Sequence, residues 1–237
     1  MITTVLFDLD GTLLPMDMDV FISSYFGKLA RHLGGYGIDT DLLIKAVWAG
    51  TAQMIKNDGT DSNEHKFWAC VNEIFGYDVE KEHGEKFEEF YNLHFDEIAK
   101  DCGFNPKSVE IIRRLKEKGI KTILATNPVF PKIATEKRIR WAGLDKDDFL
   151  LFTTYENSRY SKPNPNYYQD ILDECGLVPE ECLMVGNDTT DDMIAETLGI
   201  KVFLLTDCLY NKKGKDISIY PRGGFDDLWN YIYSLTK

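Results

Sequence analysis

The chain lacks the features of a membrane protein or a nucleic-acid-binding protein. None of its apolar runs approaches the ~18 residues that a membrane-spanning helix needs. Acidic residues outnumber basic ones by 39 to 27, and the formal net charge is −12. Nucleic acids and anionic membranes bind basic surfaces, so we expect neither as a partner. A negatively charged substrate would need a local cationic site.

Signals for disulfide bonds and for secretion are also missing. The cysteines are odd in number and include no C-x-x-C pair, a pattern typical of reduced thiols. They are Cys70, Cys102, Cys175, Cys182 and Cys208. No signal peptide precedes the first apolar segment, so we expect a cytoplasmic protein.

The chain divides into regions of different pattern. Val5–Phe7 predicts a buried first strand, and from about residue 17 to residue 100 four apolar stripes recur at helical spacing. From about residue 105 strands and helices alternate, which predicts a parallel sheet with helices on both faces. We expect residues 1–15 and 101–237 to form an α/β core and residues 16–100 to form an inserted helical cap domain.

Nine further elements are expected after the helical region. The pattern predicts helices at residues 108–118, 131–142, 167–175, 192–198 and 225–235. It predicts strands at residues 120–125, 149–153, 182–185 and 201–205. In sheets of this kind, ligands bind at the carboxyl ends of the strands.

Two carboxylates follow the first strand. Side chains alternate along a strand, so Asp8 and Asp10 face the same side. Neighbouring carboxylates repel each other unless a cation lies between them, and hard divalent cations prefer oxygen ligands. Gly11 allows a sharp turn, which suits close approach of the backbone to a ligand. This segment therefore indicates a metal site that handles phosphate.

Polar residues also follow the later strands. Thr126 and Asn127 end the second strand, Lys162 lies in the loop after the third, and Asn187 and Asp188 follow the fourth. Because the carboxyl ends of parallel strands meet at one edge of the sheet, we expect these side chains to converge with the first carboxylates.

These motifs, in this order, resemble those of the haloacid dehalogenase-like hydrolase superfamily. The matching segments are residues 8–12 (D-L-D-G-T), Thr126, the Lys162–Pro163 pair and the acidic run 187–192. The resemblance covers nearly the whole chain. It implies a Rossmann-like core, a helical cap inserted after the first strand, and a magnesium-dependent phosphatase.

The resemblance also implies a role for each residue. Asp8 would attack a phosphate monoester and become an aspartyl phosphate, and Asp10 would serve as general acid and base. Thr126, Asn127 and Lys162, with Asp8, would bind the phosphoryl group. The implied ligands of Mg²⁺ are Asp8, Asp10, Asp188 and Asp192.

The functional residues of the fourth motif can be assigned in two ways, which we call frames. Asn187 stands where the family has an Asp directly after the glycine, whereas Asp188 and Asp192 keep the expected separation of four residues. The second frame uses Asn187 and Asp191. We favour the first because a carboxylate is the better metal ligand.

The motifs leave the reaction and the substrate partly open. Dehalogenases of the superfamily lack an acid two residues after the nucleophile, so Asp10 favours phosphoryl chemistry. Phosphoglycolate, nucleotide and sugar phosphates all fit a small phosphorylated metabolite, and we expect a monomer or small homo-oligomer. A phosphomutase of the β-phosphoglucomutase type is the alternative. A non-catalytic phospho-acceptor or binding module is a remote one, since receiver domains are about half this length.

The helical region offers few clear substrate-binding residues. Lys28, Arg31 and Lys56 are candidates for a second anionic group of the substrate, although a surface position is the simpler interpretation. Trp48 and the other tryptophans are expected in the core. The aromatic stripe over residues 87–95 is expected to pack within the cap and not to line a substrate wall.

Overall fold

The strands are short and mostly buried, as expected for a sheet that helices cover on both faces. The computed structural model describes residues 1–236. Its five strands are all parallel and lie in the order β2-β1-β3-β4-β5. They are β1 (Thr4–Phe7), β2 (Lys121–Leu124), β3 (Cys182–Gly186), β4 (Lys201–Leu205) and β5 (Arg222–Gly223).

Helices connect these strands and account for the long segment after β1. The α-helices are α1 (Met18–Gly34), α2 (Thr40–Ile55), α3 (Asn63–Phe75), α4 (Val79–Leu93), α5 (Pro106–Glu117), α6 (Lys132–Trp141), α7 (Pro165–Cys175) and α8 (Phe225–Leu235). Short 3₁₀ helices include Phe95–Asp101 and Met193–Leu198. No helix within residues 1–236 combines the length and apolar character needed to cross a membrane.

The register of the sheet brings the ends of its strands together. β1 lies between β2 and β3, so that Phe7 faces Leu124 on one side and Val185 on the other. The residues that follow these three strands therefore leave the sheet at the same edge. The predicted α/β architecture with a Rossmann-like parallel sheet is confirmed.

Both faces of the sheet bury apolar side chains. On one face, Val5, Phe7 and Leu183 belong to a cluster that includes residues of α5 and α8. On the other face, Leu6 and Met184 belong to a cluster that includes residues of α7. This two-sided burial explains why the strands have nearly continuous apolar sequences instead of alternating ones.

Two local predictions are wrong, and one strand was not predicted. Residues 149–153 run beside β2 but form only one bridge, between Leu124 and Phe152, instead of a strand. The segment expected as a helix at residues 192–198 is a 3₁₀ helix from Met193. β5, only two residues long, has no sequence pattern that could be recognised.

The helices α1–α4, with the 3₁₀ helix after them, form what we call the helical insertion (residues 16–100). It has its own apolar cluster, in which Phe21, Leu29 and Phe90 are buried. Its two connections to the rest of the chain run antiparallel, with a bridge between Met16 and Cys102. The division into two domains remains a prediction.

A buried asparagine joins the insertion to the sheet region. The Asn63 side chain is fully buried, and its Nδ2 lies 3.2 Å from the Pro128 carbonyl and 3.1 Å from Ser161 Oγ. Its Oδ1 accepts a hydrogen bond from Asn57 Nδ2 at 2.9 Å. The backbone N–H of Asn63 donates to the Ser158 carbonyl at 2.8 Å. The start of α3 is thus held by polar groups of the loop after β2 and of the loop before α7.

Replacing Asn63 with alanine should lower the free energy of unfolding by about 2–3 kcal/mol, because buried hydrogen-bonding groups lose their partner. Urea denaturation followed by tryptophan fluorescence measures the loss. Asn92→Ala, at an exposed position of α4, is the control and should change stability by less than about 0.5 kcal/mol. Equal, small effects of both substitutions would contradict a structural role for the Asn63 network.

Candidate active site

A cavity of about 920 Å³ lies between the helical insertion and the carboxyl ends of the strands. All of the residues predicted from the sequence motifs line it. They are Asp8, Asp10, Thr126, Asn127, Lys162, Asp188 and Asp192, together with Asn187 and Asp191 of the second frame. The structure therefore brings together side chains that are up to 184 positions apart in the sequence, from Asp8 to Asp192.

Lys162 is held between two carboxylates. Its Nζ lies 2.9 Å from Asp8 Oδ1, at the end of β1, and 2.6 Å from Asp192 Oδ1, beyond β3. All three side chains are buried. Burial alone would lower the pKa of the Lys162 ammonium, but the charges of Asp192 and Asp8 raise it well above its usual value. The lysine is therefore a permanent cation at the bottom of the cavity.

Asp192, which pairs with Lys162, also holds the loop after β3 in place. Asp192 Oδ2 accepts a hydrogen bond from the backbone N–H of Asp188 at 2.9 Å. Asp188 Oδ1 in turn accepts from the N–H groups of Thr190 and Asp191 at 2.6 and 3.0 Å. Both carboxylate oxygens of Asp192 thus accept hydrogen bonds, whereas Asp188 Oδ2 has no hydrogen-bond partner among the described residues.

The Asn187 side chain forms hydrogen bonds that stabilise the turn after β1. Its Oδ1 accepts from the Thr12 hydroxyl at 3.1 Å, and its Nδ2 donates to the Cys208 carbonyl at 2.7 Å. Gly11 has a φ of +84°, and a Cβ at this position would lie 2.4 Å from Asn187 Nδ2. The amide is thus occupied by structural contacts, which favours Asp188 over Asn187 as the metal-facing residue.

Asp10 pairs with an arginine that sequence reasoning missed. The Arg138 guanidinium, fully buried on α6, donates to Asp10 Oδ2 and lies 4.5 Å from the centroid of the Phe130 ring. Burial raises the pKa of Asp10, while the charge of Arg138 acts in the opposite direction. The spacing of the sequence could have indicated that Arg138 is buried. Ala134, Arg138 and Ala142 recur four residues apart, along the buried side of α6 and its C-terminal end.

The loop after β2 supplies neutral polar groups. The Thr126 carbonyl accepts hydrogen bonds from the hydroxyls of Thr153 and Tyr167 at 2.7 and 2.8 Å, which fixes the loop. Asn127 Nδ2 lies 3.4 Å from Asp191 Oδ2, and Asn127 Oδ1 is buried without a partner. Burial, followed by the charge of Asp188, raises the pKa of Asp191 to about 6.

The donor atoms at this end of the cavity fit a magnesium ion. Asp8 and Asp188 each present a carboxylate oxygen that has no hydrogen-bond partner in the described part of the chain, and Asp10 Oδ1 is buried without one. Such hard oxygen donors are the ligands that Mg²⁺ prefers. Side chains alone do not form a closed cage: no group of three or more His, Cys, Asp or Glu residues within residues 1–236 is arranged as one. Backbone oxygens and water would complete the coordination.

The Asp10–Arg138 pair leads to a stability prediction. Arg138→Met should lower the free energy of unfolding by about 2–3 kcal/mol, because the mostly buried Asp10 carboxylate loses its cation. The double variant Asp10→Asn/Arg138→Met should recover more than half of this loss. Arg140→Met, at an exposed position of the same helix, should change stability by less than about 0.5 kcal/mol. Additive effects in the double-mutant cycle, measured in urea, would contradict the pairing.

Comparison with known proteins agrees with the geometry of the site. Residues 2–199 match the model of the haloacid dehalogenase-like hydrolase family. The pyrophosphatase PpaX of Bacillus cereus is 26% identical over 200 residues, which cover 84% of this chain and 81% of that protein. Among solved structures, a HAD phosphatase from Thermococcus onnurineus is 20% identical with a TM-score of 0.59, and the match covers 98% of both chains. A predicted phosphoglycolate phosphatase from Haemophilus somnus 129PT is 18% identical, again with a TM-score of 0.59 and 98% coverage of both chains. The chain thus belongs to the haloacid dehalogenase-like hydrolase family and is an enzyme of its phosphatase type.

Proposed function

We propose that this phosphatase hydrolyses small-molecule phosphate monoesters, with Mg²⁺, through an aspartyl phosphate on Asp8. The observation that carries the proposal is the arrangement at the bottom of the cavity. Asp8 is held by the Lys162 ammonium, Asp10 lies two residues further along the same turn, and Asp188 faces the same space. The residues proposed as nucleophile, general acid, cation and metal-binding carboxylate thus line one cavity.

The reaction would proceed in two balanced steps. In the first, an Asp8 oxygen forms a bond to phosphorus, the bond from phosphorus to the ester oxygen breaks, and Asp10 gives its proton to the departing alkoxide. In the second, Asp10 takes a proton from water as the water oxygen attacks phosphorus. The acyl phosphate bond then breaks, and inorganic phosphate and the Asp8 carboxylate are released.

The neighbouring side chains would bind and orient the phosphoryl group. The Lys162 ammonium carries a positive charge beside Asp8, which favours the transfer of negative charge onto the phosphoryl oxygens. The Thr126 hydroxyl and Asn127 line the cavity at the end of β2 and are proposed to contact the same oxygens. Lys162 also keeps Asp8 in position while the substrate enters.

Magnesium would be held by Asp8, Asp188 and the backbone carbonyl of Asp10, with Asp192 positioning the Asp188 loop. The role first assigned to Asp192, direct ligation, remains a prediction. When bound, the ion supplies positive charge that offsets the repulsion between the Asp8 carboxylate and a phosphate dianion. Burial raises the pKa of Asp10, which is the direction that favours the protonated form of a general acid, while the charge of Arg138 acts in the opposite direction.

Asp8→Asn should abolish magnesium-dependent release of phosphate from 4-nitrophenyl phosphate, because an amide is not a competent nucleophile. The expected loss is at least about a thousandfold in kcat, measured by colorimetric detection of phosphate, with unchanged thermal unfolding. Asp226→Asn removes the same charge at a highly exposed position and serves as the control. Retained turnover in Asp8→Asn would exclude this residue as the nucleophile.

The same assay separates a phosphatase from the phosphomutase alternative. A mutase would release little phosphate and would move the phosphoryl group between positions of a sugar phosphate, which ³¹P NMR detects. A non-catalytic phospho-acceptor would accept one phosphoryl group and stop. Repeated, magnesium-dependent release of phosphate contradicts both alternatives.

The two frames of the acidic motif differ in their dependence on metal concentration. Asp188→Ala should raise the Mg²⁺ concentration for half-maximal activity by about tenfold or more, because a coordinating carboxylate is removed. Asp191→Ala should raise it by less than about twofold. Titration of phosphate release with MgCl₂ measures both variants. The reverse order would support the frame of Asn187 and Asp191.

A further inference from the structure

The wall of the cavity beyond the catalytic end is aromatic. Side chains from the insertion and from the loops after β2 contribute ten rings to it. They are Phe21, Tyr25, Phe26, Trp48, Phe67, Trp68, Phe87, Tyr91, Phe130 and Tyr155. Trp48 is 49% exposed and stacks on Phe26 at a centroid distance of 5.2 Å. The expectation that Trp48 lies in the core is therefore wrong. The aromatic residues of the stripe over residues 87–95 do pack within the insertion, as expected, but Phe87 and Tyr91 also line the cavity.

Acidic side chains project from the same wall. Glu64 on α3, and Glu80 and Glu88 on α4, line the cavity, and none of the three makes a hydrogen bond or salt bridge through its carboxylate within residues 1–236. Burial, followed by the charges of Glu156 and Glu80, raises the pKa of Glu64. Glu64 and Glu80 are therefore close enough to act on each other, and none of the three carboxylates forms an ion pair within residues 1–236.

Cations are scarce around this space. Among residues 1–236, the lysines and arginines that line the cavity are Lys162, which is paired with two carboxylates, and Lys132, whose Nζ lies 6.0 Å from the centroid of the Phe152 ring. The candidates for a second anionic group do not line it. Lys28 forms a salt bridge with Glu97 at 2.6 Å, and Arg31 and Lys56 are absent from the wall.

We infer that the substrate is a phosphate monoester whose alcohol portion is an aromatic or bulky apolar group carrying a positive charge, such as a quaternary ammonium. Aromatic faces attract such cations, and the unpaired carboxylates favour them over neutral or anionic groups. A leaving group that is itself anionic, such as a second phosphate or a carboxylate, would be repelled by the same wall. This inference rests on the proposed function and narrows its substrate class.

The test compares three esters that differ in charge, of which the cationic and the neutral one have nearly the same shape. They are 4-(trimethylammoniomethyl)phenyl phosphate, the neutral 4-neopentylphenyl phosphate and the anionic 4-(carboxymethyl)phenyl phosphate. The methylene separates the charge from the ester oxygen, so the leaving groups differ little in acidity. We expect kcat/KM to be at least about tenfold higher for the cationic ester than for the neutral one, and lowest for the anionic ester.

Two double variants test whether the glutamates of the cavity wall cause the preference for the cationic ester. Glu64→Gln/Glu80→Gln should reduce the ratio of cationic to neutral kcat/KM by about fivefold or more. Glu73→Gln/Glu85→Gln removes the same charge from the same two helices at exposed positions outside the cavity. This control should keep the wild-type ratio. An equal fall in both double variants would mean that only overall charge matters and would overturn the inference.

A binding experiment separates failure of the inference from failure of the proposed function. Calorimetry with wild-type protein compares 4-(trimethylammoniomethyl)phenol with 4-neopentylphenol. Tighter binding of the cation without hydrolysis of any ester would support the ligand class and contradict the phosphatase mechanism. Hydrolysis of all three esters without a preference, or equal binding of the two phenols, would overturn the ligand class while leaving the mechanism intact.

Discussion

The buried ammonium of Lys162 is the interaction on which the site depends. Without it, the carboxylates of Asp8 and Asp192 would lie buried in the same small space with no neutralising charge, which is strongly unfavourable. With it, the end of β1, the loop after β3 and the loop before α7 are joined at a single atom. The positions of Asp8 and of the Asp188 backbone follow from that junction. Catalytic geometry and local stability therefore have the same origin.

Arg138 is the second buried cation, and with Lys162 it places buried positive charge in the sheet region and not in the helical insertion. Arg138, which is fully buried, pairs with Asp10, and Lys162 pairs with Asp8, so both buried cations near the ends of the strands are paired with carboxylates that follow β1. The helical insertion adds carboxylates and aromatic rings to the opposite wall but no free cation among the described residues that line it. The proposed catalytic residues thus lie on the sheet side of the cavity, and the residues proposed to select the substrate lie mainly on the side of the insertion. Substitutions on one side could change one property without the other.

Much of the fold and the motif residues could be predicted because both follow from local pattern. The strand–helix alternation determines the sheet, and alternation along β1 places Asp8 and Asp10 together. The Asp10–Arg138 pair could not be predicted, since 128 positions separate its members and only the three-dimensional fold brings α6 to β1. Trp48 was misplaced because apolar periodicity does not distinguish a packed core from the wall of a cavity. Residues 149–153 show the ambiguity of a short apolar run, which resembles a strand whether or not a ladder forms.

The antiparallel pairing of the two connections has a consequence for how this enzyme could diversify. Because the chain leaves and re-enters the sheet region side by side at Met16 and Cys102, with Gly103 N–H bonded to the Pro15 carbonyl at 2.7 Å, the whole insertion resembles a module on a single stalk. A different module could replace it in evolution or by grafting without altering the spacing of the strands. Such a replacement must still bring a donor to the carbonyl of Pro128, which Asn63 now satisfies. The buried Asn63 amide is therefore a contact that an exchanged insertion would have to reproduce.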